Sequence, residues 1–215
     1  IDHIADFNLV YTENSRRHLL SEGLHHRRIY LTGSPMNEVL GYYSDKIKKS
    51  NILETLSLKS REFFIVSMHR EENVDNIEIL KKIISILNKL VEEYDLPIIV
   101  STHPRTRERL HNKENTIINK KISFLKPFGL FDYIHLQKNA LCAISDSGTI
   151  SEESAILEFP AITLRNSMER PEALDAGSII LTGFNINNVL SSIKIVIEQY
   201  QSNKIIKSIP KEYLI

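Results

Sequence analysis

A single cysteine, Cys142, holds all the thiol chemistry of this chain. No internal disulfide or CxxC metal site can form, and a reducing compartment, the cytoplasm, is the expectation. Net charge is missing as well: 27 Lys and Arg balance 27 Asp and Glu, with a sequence pI of about 7.3. No global field draws the chain to nucleic acid or to an anionic membrane, so any anion must be held locally. No apolar segment approaches the roughly 18 residues of a membrane span, and no basic region followed by a hydrophobic stretch marks the start as a targeting signal. The GxGxxG and GxxxxGK[ST] patterns are absent, which removes support for a dinucleotide fingerprint or a P-loop. Internal repeats and low-complexity segments are lacking too. There is also no initiator methionine: the chain opens IDHIADFNLVYT, already in strand-like residues, and reads as a fragment.

What is there fits one large domain, or one domain plus a piece of another, in 215 residues and 24.8 kDa. From residue 62 onward short apolar runs alternate with helical patterns. FFIVSM (63–68), LPIIVST (96–102), KISFL (121–125), ALCAIS (140–145), PAITL (160–164) and SIILTG (178–183) read as strands. Helices are expected near 75–94, 129–138, 149–157 and 186–201. The first of these is clearest, because Ile77, Leu80, Ile84, Leu87 and Val91 recur at three- and four-residue steps. Alternation of this kind builds βαβ units, so the expected fold class is α/β: a Rossmann-like parallel sheet of about six strands. Residues 1–30 form a separate strand and a helix around 13–22, followed by a linker with Gly33 and Pro35. The expected division is a remnant of a preceding domain plus linker over 1–35, a Rossmann-like domain over 36–205 and a tail over 206–215.

In open α/β sheets ligands bind beyond the carboxyl ends of the strands, and the polar clusters fall there. FFIVSM runs into His69-Arg70-Glu71-Glu72-Asn73, and LPIIVST into His103-Pro104-Arg105. A lone strand-end histidine is more often a surface residue. Two of them with arginines nearby become candidates for anion ligands or general acid/base groups. A metal site would need three or four ligands at recognisable spacing, so neither metal nor cofactor is assigned. After ALCAIS comes Asp146-Ser147-Gly148-Thr149, for which two readings stay open. Thr149 and Glu152 match the T-x-x-E capping box, which needs no ligand. Gly148 and the helix N-terminus also suit a phosphate. LRNSMERPEALDAG (164–177) supplies Arg165, Glu169, Arg170 and Glu172, either as an ordinary charged loop or as a further wall of the same crevice.

Taken in order, HREEN, THPRTRERL, SDSGTISEE and RNSMERPE resemble the non-hydrolysing UDP-N-acetylglucosamine 2-epimerase family, as do IDHIADFNLVYTENSR and TGSP near the start. The resemblance implies the second domain of a glycosyltransferase-B-like two-domain architecture, with a UDP-sugar between the domains. It implies that Ser147, Gly148 and Thr149 hold the diphosphate with Arg165 nearby, and that Glu153 binds the ribose. Tyr133 would contact uracil, and His69 would be the catalytic histidine. Arg70, His103 and Arg105 join the diphosphate set, with Glu72, Asn73, Glu169 and Arg170 in support. The implied reaction is C2 epimerisation of a UDP-2-acetamido sugar through UDP elimination and re-addition, in capsule or lipopolysaccharide synthesis. The carboxylates for its proton transfers come largely from the first domain, and homodimers are common in the family. The chain alone is therefore expected to be inactive.

HREEN and DSGTISEE depart from the common HRREN and DSGGIQEE. In this they look like a branch that acts on UDP-2-acetamido-2,6-dideoxy-L-talose. Two other readings stand beside epimerisation: a glycosyltransferase of the same architecture, and a UDP-binding module without activity.

Overall fold

The apolar runs after residue 62 become strands because both of their faces are covered. The structure, a computed structural model, describes residues 1–70, 73, 76–102, 117–167, 171–175, 177, 179–202 and 209–214. Strands β3 (Phe64–Met68), β4 (Ile98–Thr102), β5 (Ile122–Leu125), β6 (Cys142–Ser145), β7 (Ala161–Thr163) and β8 (Ile180–Leu181) form a six-stranded sheet in the order β5-β4-β3-β6-β7-β8. Every neighbouring pair is parallel. The expected Rossmann-like sheet is thus what forms. Strand order reverses between β3 and β6, and a crevice opens at such a switch point in doubly wound sheets.

Residues along β3, β4, β6 and β7 are buried throughout, as parallel strands with helices on both faces must be. Side chains alternate between two cores. Phe64, Val66 and Met68 join one with Leu87, Leu90 and Ile193. Phe63 and Ile65 join the other with Leu136, Ile150 and Tyr213.

The helices that cover these faces follow the pattern closely. The long helix spans Ile77–Tyr94, and Asn76 caps it by accepting hydrogen bonds from the amides of Glu78 (3.0 Å) and Ile79 (3.3 Å). It ends at Asp95, whose φ of 53° leaves the right-handed helix. Its buried face is wider than the five-residue pattern, because Ile83, Ile86 and Leu90 are also inside whereas Ile77 is 37% exposed. Among the described residues the helices are, in chain order, α1 (Glu13–Ser21), α2 (Met36–Tyr42), α3 (Ser44–Lys48), α4 (Ile52–Thr55), α5 (Ile77–Tyr94), α6 (Leu130–Asn139), α7 (Ile150–Leu157), α8 (Glu172–Asp175) and α9 (Ile186–Gln201).

The first residues stand apart from this sheet. Among the described residues β1 (Asn8–Val10) and β2 (Ile29–Leu31) pair only with each other, in parallel, with α1 between them. Thr12 caps α1 by accepting from the Ser15 amide at 3.2 Å. The chain then turns through Gly33, whose φ is +76°, a conformation that favours glycine. The end of the chain packs back on the main body: Tyr213 is fully buried among the residues of the second core.

Candidate functional site at the strand switch point

The loops after β3 and β6 meet at the switch point, and a carboxylate that the sequence reading left without a role ties them together. Asp146 is 1% exposed. Its amide donates to the Ser67 carbonyl (3.2 Å). Its carboxylate accepts from the amides of His69 (3.0 Å) and Arg70 (3.2 Å) and from Asn73 Nδ2 (2.9 Å). Asn73, itself buried, also donates its amide to the Arg70 carbonyl (3.0 Å). The HREEN loop is therefore held by a buried anion, while His69 stays exposed at the rim and Arg70 half-buried beside it. Hydrogen bonds to a charged acceptor stabilise by about 1.5–3 kcal/mol each. Asp146 is the main organiser of this edge.

The DSGT turn settles differently from the capping-box expectation, and this is a correction. The Thr149 side chain makes no cap hydrogen bond; its hydroxyl lies 2.9 Å from Ser147 Oγ. Ser147 Oγ in turn accepts from the Thr149 amide (3.3 Å). The Glu152 carboxylate accepts a hydrogen bond from the Ser34 hydroxyl in the linker. The helix that follows the linker packs on α7 and brings the Ser34 hydroxyl to this carboxylate. Among the described residues the amides of Gly148, Ile150 and Ser151 donate to no other group. A helix start with open amides carries partial positive charge and is suited to an anion. Arg165, 4% exposed, brings a full charge to it: its Nη1 lies 3.7 Å from where a side chain on Gly148 would begin. Ser147, Gly148, Thr149 and Arg165 are thus brought together.

A second polar cluster lies behind the turn. Glu153, 7% exposed, accepts from Gln137 Nε2 at 2.7 Å. Burial raises its pKa above the ordinary 4.5, against the lowering effect of hydrogen bonds from Gln137 and Thr149. Tyr133, on α6, is half-buried, and its hydroxyl is close to Ser67, Gln137 and Ser145. Burial pushes its phenol well above the usual range, and the Glu153 charge adds to this against those hydrogen bonds. Gln137 follows Tyr133 by one helical turn, a spacing that could have been read from the sequence. Asp146 gave no such signal, because its partners lie some 75 residues away along the chain.

Two further observations complete the site. Both carboxylate oxygens of Glu172 are enclosed and accept no hydrogen bond among the described residues, a costly state for a carboxylate. Glu172 begins α8, which packs against α7. His103, Arg105, Glu72, Glu169 and Arg170, expected to contribute, lie outside the described residues. Among the described residues no cluster of three or more His, Cys, Asp or Glu is arranged to hold a metal. No described helix is long and apolar enough to cross a membrane.

The family model for UDP-N-acetylglucosamine 2-epimerase matches residues 1–214. A UDP-N-acetylglucosamine 2-epimerase of Methanocaldococcus jannaschii is 35% identical over 211 residues, which cover 94% of this chain and 57% of that protein. The solved structure of the Rickettsia bellii UDP-N-acetylglucosamine 2-epimerase is 42% identical with a TM-score of 0.90, covering 100% of this chain and 57% of that one. The M. jannaschii enzyme solved in complex with UDP-GlcNAc and UDP is 34% identical with a TM-score of 0.81, covering 91% and 55%. The chain therefore spans just over half the length of these relatives. With a family match from Ile1 to Leu214 and a parallel sheet superimposable on solved members, the chain belongs to the UDP-N-acetylglucosamine 2-epimerase family.

Proposed function

We propose that this chain is the UDP-binding part of an enzyme that epimerises C2 of a UDP-2-acetamido sugar. The observation that carries the reading is the set of open amides at Gly148, Ile150 and Ser151 beside Arg165, at the switch point of the sheet. A diphosphate placed there meets backbone donors and a guanidinium. The same groups stabilise the charge that grows on UDP as its bond to C1 breaks. Glu153 accepts hydrogen bonds from the ribose hydroxyls, Tyr133 borders the base, and Glu172 accepts from a hydroxyl of the ligand.

Loss of a proton at C2 and its return on the opposite face require positioned acid and base groups. His69, exposed at the rim and held by its amide on Asp146, is the catalytic group that this chain supplies. Arg70 accompanies it, and His103 and Arg105 complete the cationic wall. Asn73 supports the loop through Asp146, and Glu72, Glu169 and Arg170 are assigned supporting roles. The remaining carboxylates belong in this reading to a preceding domain, of which residues 1–35 are the last unit, followed by the UDP-binding domain over 36–205 and the segment 206–215. The assembly is a cytoplasmic homodimer serving capsule or lipopolysaccharide synthesis. Thr149 and Ser151, beside the diphosphate, and Glu71, in the HREEN loop, favour a second substrate reading, UDP-2-acetamido-2,6-dideoxy-L-talose.

Calorimetric titration with UDP tests the binding reading. The expected result is saturable binding that weakens about tenfold or more in Arg165→Ala, by loss of a charge-assisted contact. Unchanged affinity in that variant would remove Arg165 from the site. For the reaction, protein extended by its upstream sequence should place deuterium at C2 of the nucleotide sugar in D2O, whereas a glycosyltransferase should not.

A further inference from the structure

The linker between β2 and α2 is bound to the first turn of α7 by a buried side-chain contact. Ser34 and Glu152 are 2% and 1% exposed, and the Ser34 hydroxyl donates to Glu152 Oε2. The same hydroxyl accepts from the Met36 amide (3.2 Å), and the Ser34 amide donates to the Glu212 carbonyl (3.0 Å). Ser34 is thus fixed to α7, to the start of α2 and to the end of the chain. Immediately before it, Gly33 has a φ of +76°, and a cleft of about 440 Å³, lined by Leu9, Tyr11, Ser34, Pro35 and Glu38 among others, separates the β1–β2 unit from α2. Glu152 stands one residue before Glu153 and two after Ile150, whose amide is open. Any shift of the α7 start on taking up an anion therefore moves the acceptor of the linker bond.

We infer that Ser34 and Glu152 are a positioning pair that couples occupancy of the diphosphate turn to the linker carrying the β1–β2 unit. This rests on the proposed placement of a UDP diphosphate at residues 147–151. Neither residue touches the nucleotide in this arrangement; both act through the position of the α7 start.

Amide hydrogen exchange read by NMR on this chain, with and without UDP, tests the coupling. UDP is expected to slow exchange of the Ser34 and Met36 amides at least threefold along with the 147–153 segment. Ser34→Ala is expected to keep UDP affinity within threefold yet lose the linker effect, and Ser34→Thr, which restores the hydroxyl, to recover it. Should Ser34→Ala fail to fold, Glu152→Gln, which keeps the shape and removes the charged acceptor, is expected to weaken the linker effect. Protection of 147–153 with unchanged exchange at Ser34 and Met36, or an undiminished linker effect in Ser34→Ala or Glu152→Gln, would overturn the coupling while leaving UDP binding intact. Absence of UDP binding by the unaltered chain would overturn both.

Discussion

The two parallel sheets of this chain are built from the same strand–helix–strand unit and end up in opposite conditions. In the six-stranded sheet the central strands are covered on both faces, and at their carboxyl ends Asp146 and Asn73 are buried and paired. In the two-stranded sheet Leu9 and Tyr30 are 65% and 50% exposed, and among the described residues no third strand flanks the pair. Parallel sheets are stable when both faces are covered. The larger sheet meets that condition within the chain; the smaller one presents its apolar side chains to solvent.

Removing the buried anion of the larger sheet is the strongest way to test this contrast. Asp146→Ala leaves two backbone amides and Asn73 without their acceptor. Denaturant unfolding is expected to show a loss of about 3 kcal/mol or more, by the cost of buried donors left unpaired, together with loss of UDP binding. A variant that bound UDP as before would show that the HREEN loop does not need this anchor.

Truncation of one leucine in each region compares them directly. Leu87 is fully buried in the first core, and Leu87→Ala is expected to cost about 2–5 kcal/mol. Leu9→Ala is expected to stay within about 0.5 kcal/mol, as exposed substitutions do. Equal losses in the two variants would mean that the β1–β2 sheet is covered in solution, as a further domain or a second copy would cover it.

The smallest effect concerns pH. Burial raises the Glu153 pKa in the folded state, so the folded chain binds a proton more tightly there than the unfolded one. Stability from this group is fully present below its ordinary pKa of 4.5 and is lost as the pH rises through the folded value. Glu153→Gln, which holds no proton to lose, should therefore melt higher than the parent at neutral pH, with the gain shrinking toward pH 4. A gain of equal size at both pH values would show that the buried charge is not its source.

Much of the fold was legible in the sequence because it rests on local pattern. The 186–201 helix was read with the bounds it has, and each of the six apolar runs contains one strand of the main sheet. The helices α2, α3 and α4 were not foreseen, since each is short and lacks a side-chain cap. The site was legible at Ser147, Gly148 and Arg165, where a glycine turn and a following strand end place the residues at the crevice. It was misread at Glu152, because a capping box is a sequence pattern and the Ser34 hydroxyl that displaces it lies 118 residues away. Asp146 carried no pattern of its own, whereas Gln137 stands one helical turn from Tyr133.

By itself, the sequence determined the strands of the main sheet and the longer helices around them, that both faces of the sheet are apolar, and that polar residues gather at strand ends. Those properties repeat over two to four residues and need no distant partner. The tertiary structure alone decided that strand order reverses between β3 and β6, that Asp146 holds the HREEN loop, and that Glu152 binds the linker instead of its own helix. Each of these depends on groups far apart in the chain meeting within about 3 Å, which only the packing of the whole sheet brings about.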